Sequence, residues 1–97
     1  LCTTEYRRFF QGYYDGGGDP ELETAVSETV TCESGWNIYA YNPAGYTGLG
    51  QWAEKTWTKV ASMTGYWAIY DTYEQGFNMA VWMKVSTPSS QWSCWPG

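Results

Sequence analysis

The sequence predicts a mainly helical α+β fold with three main helices, an irregular hairpin or loop after the first helix, and an extended carboxyl-terminal tail. Two helix starts are marked by capping residues, at Asp19 and at Asp71, and apolar residues follow each start at helical spacing. The region between them is rich in Gly, Asn and Tyr, which favours turns. The 97 residues fit a single domain, because domains commonly run to about 100–150 residues.

The first predicted helix runs from Pro20 to about Ser34. Asp19 is a typical N-cap, and proline suits the first helical position because the N–H it lacks there would have no partner in the helix. Gly35 suits the left-handed position that ends a helix. The first nineteen residues end in YYDGGGD, which we interpret as a flexible hinge. The helix's apolar stripe consists of Leu22, Ala25, Val26, Thr29 and Val30.

The second and third helices are expected after the loop at positions 37–50. The second should run from about Gly50 to Met63, with Trp52, Thr56, Trp57 and Val60 on one face. The third begins after Asp71, with Glu74 three residues later as in a capping box, and continues to Val85. The tail STPSSQWSCWPG contains two prolines and is expected to be extended.

Composition excludes several classes of function. The net charge is −5 and the five cations are scattered, whereas nucleic-acid binding needs clustered cations. The absence of histidine excludes His-based catalysis and most zinc sites, and no apolar run is long enough to span a membrane. Seven Trp and nine Tyr exceed what so small a core can hold. Some of these rings must lie at a surface or line a groove, where they suit sugars, proteins or single-stranded bases.

The three cysteines, Cys2, Cys32 and Cys94, match no metal-binding spacing. A small, Trp-rich, Lys-poor chain suits a secreted domain with one disulfide, which would leave one cysteine unpaired. Three buried thiols are the alternative. The chain opens at Leu1 without a signal-like segment, and we interpret it as a mature or excised domain.

Glu33 is the candidate catalytic residue. It follows Val26 by seven positions and Val30 by three, which places it on or beside the inward face of the helix. It also lies in the last turn, where unpaired carbonyls carry partial negative charge. Both features disfavour the anion, and a carboxyl that stays protonated can act as general acid toward a glycosidic oxygen. Alternatively, the helix ends one turn earlier and Glu33 faces water.

No second carboxylate accompanies Glu33 in the sequence. Glycosidases usually carry two, about 5–9.5 Å apart. No Asp or Glu lies between Glu33 and Glu54, and Glu54 is expected on the exposed side of the second helix. Asp71 and Glu74 have a structural use at a helix start. A site with one carboxylate needs a nucleophile from the substrate, or a water held by neutral polar groups.

The segment CESGWNIYAYNPAGYTGLGQWAEKTW closely resembles the core motif of small lysozyme-like peptidoglycan enzymes, namely the soluble lytic transglycosylases and the resuscitation-promoting factors. In that family a helix ending in Cys-Glu-Ser/Ala-Gly precedes an Asn-bearing loop, then Gly-Tyr-x-Gly-Leu-x-Gln and Thr-Trp. DTYEQGFNMAVW and QWSCWPG resemble the family's late helix and Trp-rich end, so that the resemblance spans residues 6–95. The matching residues are Cys32 to Gly35, Asn42, Gly45 to Gln51, Thr56 and Trp57.

The resemblance implies a lysozyme-like fold and a role for each matching residue. Glu33 would be the catalytic acid and later the base, and no metal or cofactor would be needed. Cys32 and Cys94 would form a disulfide that ties the first helix to the tail. Substrate would be bound by Gln51, Thr56, Gln75 and Asn42, with Tyr46 and Trp52 as sugar-stacking rings, although Trp52 could instead pack in the core.

The expected reaction is cleavage of the β-1,4 bond between N-acetylmuramic acid and N-acetylglucosamine, giving 1,6-anhydro products. A hydrolytic muramidase is the first alternative, and a non-catalytic sugar-binding tip of a cell-wall or phage-tail assembly is the second. The expected partners are peptidoglycan glycan strands, with no nucleic acid. The chain would be a monomer or part of a larger multidomain chain, and secreted, at the cell wall or virion-associated.

Overall fold

The computed structural model describes residues 3–96. It confirms a mainly helical fold with a small antiparallel sheet. Cys2, for which the sequence left open a disulfide or a free thiol, lies outside the described residues. The elements are α1 (Thr3–Asp15), a 3₁₀ helix (Pro20–Leu22), α2 (Glu23–Ser34), β1 (Tyr41–Asn42), β2 (Tyr46–Thr47), β3 (Trp52–Ala53), α3 (Glu54–Thr64), α4 (Thr72–Val85) and α5 (Pro88–Gln91).

Helix α1 was not predicted, and it packs along α4. The two backbones approach closely at Gly12 and Gly76, where an added methyl group would collide with a carbonyl of the other helix. The glycine-rich stretch that follows was interpreted as a hinge. It is instead an ordered turn, because Gly16 and Gly18 donate their N–H groups to carbonyls of α1 at 2.8 Å.

The core collects aromatic rings from four parts of the chain. On α1, the ring of Phe10 packs edge-on against those of Phe9 and Tyr13, and Phe9 and Phe10 also contact Trp36. Trp52 packs edge-on against two further indoles, those of Trp57 and Trp92. The remaining buried apolar residues are Val26, Val30, Leu49, Val60, Ala61, Met79 and Ala80.

The ends of the first predicted helix are confirmed. Asp19 Oδ1 accepts a hydrogen bond from the N–H of Glu21 at 2.9 Å, so that Asp19 caps the 3₁₀ turn which leads into α2. At the other end Gly35 adopts a left-handed conformation with φ of 61°. Because the helix reaches Ser34, Glu33 lies in its last turn.

The second predicted helix begins later than expected, at Glu54 rather than Gly50. Gln51 has a left-handed φ of 48°, which a helix cannot contain. The next two residues form β3, which pairs with β2 through Tyr46 opposite Ala53 and Thr47 opposite Trp52. The irregular hairpin is therefore a three-stranded antiparallel sheet in the order β1-β2-β3.

The third predicted helix is confirmed as α4. Asp71 Oδ2 accepts the N–H of Glu74 at 2.9 Å, as expected of an N-cap. The capping box is only half formed, because Glu74 accepts the N–H of Ala68 at 3.0 Å.

The carboxyl-terminal tail is partly helical rather than extended throughout, because Pro88 opens the short helix α5. The tail is tied back by a disulfide between Cys32 and Cys94, as the resemblance implied, with Cα atoms 5.9 Å apart. Among residues 3–96, no helix is both long and apolar enough to cross a membrane.

Candidate active site

A cavity of about 410 Å³ opens beside the last turn of α2. This volume lies within the range of small-ligand sites. Its walls come from three separate parts of the chain: the end of α2, the hairpin with the turn that follows it, and the tail. The lining residues are Glu33, Asn42, Tyr46, Gln51, Ser89, Ser90, Gln91 and Ser93.

Glu33 is the only carboxylate among these lining residues. Its side chain is half-buried, and its Oε2 accepts a hydrogen bond from the backbone N–H of Cys94 at 3.2 Å. The described residues provide no hydrogen bond to Oε1, and none of their cations forms an ion pair with Glu33. One oxygen is thus held by the tail, while the other has no partner among residues 3–96 that a ligand would have to displace.

Asn42 and Tyr46 line the cavity because they are cross-strand partners in β1 and β2. Directly opposed residues of an antiparallel pair share one face of the sheet. Asn42 Oδ1 also accepts the N–H of Ala44 at 2.9 Å, which fixes the turn between the two strands. The ring of Tyr46 is 43% exposed and available for stacking.

Gln51 lies at the floor of the turn between β2 and β3. Its Nε2 donates to the carbonyls of Gly48 at 3.0 Å and Ala40 at 3.3 Å, which ties the turn to the start of the hairpin. The amide oxygen accepts no hydrogen bond from the described residues, so that it remains available as an acceptor at the cavity wall.

The structure does not bring Trp52 and Gln75 to the cavity. Trp52 opposes Thr47, on the sheet face away from Asn42 and Tyr46, and its side chain is fully buried. Its Nε1 donates to Gln75 Oε1 at 2.8 Å. Core packing, the alternative noted for Trp52, is the arrangement found, and no face of this indole is accessible to a sugar.

The side chain of Gln75 is only 1% exposed, and it forms hydrogen bonds with backbone groups instead of facing the cavity. Its Oε1 also accepts the N–H of Gly50 at 3.2 Å, and its Nε2 donates to the carbonyl of Ile69 at 2.5 Å. It therefore clamps the turn before β3 to the connector before α4. Thr56 is half-exposed in the first turn of α3 and likewise does not line the cavity.

The tail supplies half of the lining, which the sequence analysis did not anticipate. Ser89, Ser90 and Gln91 lie on α5, and Gln91 Oε1 accepts the Nε1–H of Trp82 at 3.1 Å. Ser93 follows, next to the half-cystine Cys94. The implied Cys32–Cys94 pairing was a usable signal, because a bond between residues adjacent to Glu33 and to Ser93 brings the tail to the candidate acid.

No cluster of three or more His, Cys, Asp or Glu side chains suited to a metal ion occurs within residues 3–96. No family model, curated protein or solved structure matches the chain. The functional assignment therefore rests on the cavity and on the motif residues that line it.

Proposed function

We propose that this cavity cleaves the β-1,4 bond between N-acetylmuramic acid and N-acetylglucosamine, with Glu33 as general acid and base. The observation that supports this most strongly is the meeting of Glu33, Asn42, Tyr46 and Gln51 around one cavity. These four are among the seven site residues expected from the sequence, of which Thr56, Gln75 and Trp52 do not line the cavity. The four meet at one cavity only because three features act together: the position at which α2 ends, the register of the hairpin and the turn that contains Gln51.

In the proposed mechanism, Glu33 Oε1 protonates the leaving glycosidic oxygen as its bond to C1 breaks. With no second carboxylate in the lining, the substrate's own 2-acetamido oxygen stabilises the positive charge at C1. Ionised Glu33 then takes the proton of the muramyl 6-hydroxyl, whose oxygen bonds to C1 and gives the 1,6-anhydro product. Throughout, the Cys94 N–H donates to Oε2, where it stabilises the charge that appears on Glu33.

A muramidase differs from this lyase in one step, in which a water replaces the 6-hydroxyl. The muramidase is supported as a second candidate function by the neutral hydroxyl and amide groups that line the cavity, because such groups can hold a water. A non-catalytic sugar-binding tip would use the same cavity without bond cleavage. Each of these proposals implies a location where peptidoglycan is accessible: secreted, at the cell wall or on a virion.

The test is the release of soluble fragments from purified peptidoglycan by the wild type and two variants. Glu33→Gln should lower the rate by at least about 100-fold, because general acid–base catalysis typically contributes 10²–10⁴. Glu54→Gln is the matched control, since Glu54 is exposed at the start of α3 and does not line the cavity.

A rate for Glu33→Gln equal to that of the wild type would contradict the proposal. Sedimentation with insoluble peptidoglycan, measured in parallel, separates catalysis from binding. Retention of wild type and Glu33→Gln on the polymer, with no fragments from either, would favour the non-catalytic sugar-binding domain.

A further inference from the structure

Two exposed tyrosines from distant parts of the chain contact each other outside the cavity lining. Tyr39 precedes β1 and Tyr70 precedes α4, and their ring centroids are 5.6 Å apart with the planes inclined by 47°. Tyr39 is 68% exposed and Tyr70 is 46% exposed. Both rings therefore present accessible aromatic surface to a ligand. We call this pair the tyrosine platform.

The platform is held by the same hydrogen bonds that build the candidate site. The Tyr39 N–H donates to Asn37 Oδ1 at 3.0 Å, and the carbonyl of the next residue, Ala40, accepts the side chain of Gln51. On the other side, the carbonyl of Ile69, next to Tyr70, accepts from Gln75. Both tyrosines thus stand on backbone that buried or cavity-lining amides fix, so that little ordering is needed when a ligand binds.

The two tyrosines lie on segments of the sequence without charged residues, and Asp71, which follows Tyr70, is paired with Arg8 at 3.9 Å. Residues 34–53 and residues 60–70, the two segments that contribute the tyrosines, contain no Asp, Glu, Lys or Arg. A polyanion would need cations here, and a charged peptide would find no counter-charge in either segment. Exposed aromatic faces without charge suit a neutral polar ligand that has an apolar face, which is the chemistry of a pyranose ring.

We propose that the tyrosine platform is a glycan-binding subsite, which holds an N-acetylhexosamine ring of the strand outside the cavity. Gln51 connects the two, because it lines the cavity and bonds to the segment that carries Tyr39. The inference rests on the proposed function for the identity of the ligand as a glycan. Binding energy gained at the platform would position the scissile bond beside Glu33, and it would be available only to strands long enough to reach both.

The experiment measures the affinity of soluble N-acetylglucosamine oligomers, a trimer and a hexamer, by calorimetry. The parent is Glu33→Gln, so that the ligand stays intact. Adding Tyr39→Ala or Tyr70→Ala should weaken hexamer binding about tenfold, as expected when roughly 55 Å² of apolar contact is lost. Trimer binding should change less than twofold. Tyr39→Phe should keep the hexamer affinity, because it keeps the ring.

Tyr14→Ala is the matched control, since Tyr14 is an exposed tyrosine whose ring contacts Phe10 and Tyr13 on α1. It should bind the hexamer as the parent does. Equal hexamer affinity in the parent, Tyr39→Ala and Tyr70→Ala would overturn the proposal, and so would a parent that binds no oligomer. A far-ultraviolet circular dichroism spectrum identical to that of the parent establishes that each alanine variant is folded.

The digestion and the binding assays separate the two proposals. Fragment release by the wild type, with unchanged hexamer affinity in the platform variants, would uphold cleavage and reject the platform. Platform-dependent hexamer binding by a protein that releases no fragments would uphold the platform and reject cleavage.

Discussion

Removal of the crosslink between Cys32 and Cys94 should lower the free energy of unfolding by about 4 kcal/mol. The bond joins residues 62 positions apart. For a loop of that length, chain-entropy arguments give about 14 cal/mol/K lost from the unfolded ensemble, which is about 4 kcal/mol at 25 °C. Small domains are stable by only about 5–15 kcal/mol, so that the crosslink carries a large share of the total.

The assay is urea unfolding of Cys32→Ser/Cys94→Ser against the crosslinked protein, with Cys2→Ser in both to prevent disulfide exchange. The crosslink also carries the tail that donates the Cys94 N–H to Glu33 and supplies Ser93 to the cavity. The rate of fragment release should therefore be lower for the variant than for the crosslinked protein, even without urea, where the variant is folded. A stability loss below about 1 kcal/mol would refute the loop-closure reasoning. Undiminished activity in the folded variant would refute the positioning role of the tail.

Three further predictions concern the packing that supports the site. Gly76→Ala should cost about 1–3 kcal/mol in urea unfolding, because the new methyl group meets the carbonyl of Phe9, and an unchanged stability would contradict this close approach. Gln75→Ala should lower the free energy of unfolding by about 1–3 kcal/mol, because the buried Trp52 Nε1–H loses its acceptor. The same variant should release fragments more slowly. A raised KM with unchanged stability would indicate instead that Gln75 binds the ligand. Burial raises the pKa of Tyr13 from 10.0 to about 12, so that the stability it contributes is present below pH 10 and is lost as the pH rises toward 12. The free energy of unfolding should therefore decline less steeply across that range in Tyr13→Phe than in the wild type. Identical slopes would contradict the raised pKa of Tyr13.

Local signals in the sequence predicted the ends of two helices correctly. Asp19-Pro20, Gly35 and the Asp71 cap act within one turn of chain, so that each can be recognised without knowledge of the rest of the fold. The position of Glu33 in the last turn of α2 follows from these signals alone.

Non-local contacts account for what the sequence analysis missed. The glycines that follow α1 were interpreted as a hinge rather than as a helix end, and its Gly12 makes sense only because α4 packs against it at that point. Trp52 was expected on a helix, but its place in β3 depends on pairing with β2. Once it pairs opposite Thr47, the two-residue period of the strand turns its ring into the core.

Four of the site residues expected within positions 33–56 line the cavity, whereas Trp52 and Thr56 of the same stretch do not, and the contribution of the tail was not expected. Glu33, Asn42, Tyr46 and Gln51 lie within nineteen successive positions, and all four line the cavity. The opposite wall comes from positions 89–93, which the crosslink, the turn at Pro88 and the hydrogen bond from Trp92 Nε1 to the carbonyl of Gly50 bring back.

Mass spectrometry of borohydride-reduced peptidoglycan digests, made in heavy-oxygen water with the wild type and Glu33→Gln, tests the proposed chemistry most directly. The proposed mechanism predicts wild-type products with muramyl ends that resist reduction, that are one water lighter than hydrolysed ends before reduction and that carry no heavy oxygen. Glu33→Gln should yield none of them. Equal amounts of the same products from both proteins would contradict the role of Glu33, and reducible ends labelled with heavy oxygen would contradict the lyase and indicate a muramidase.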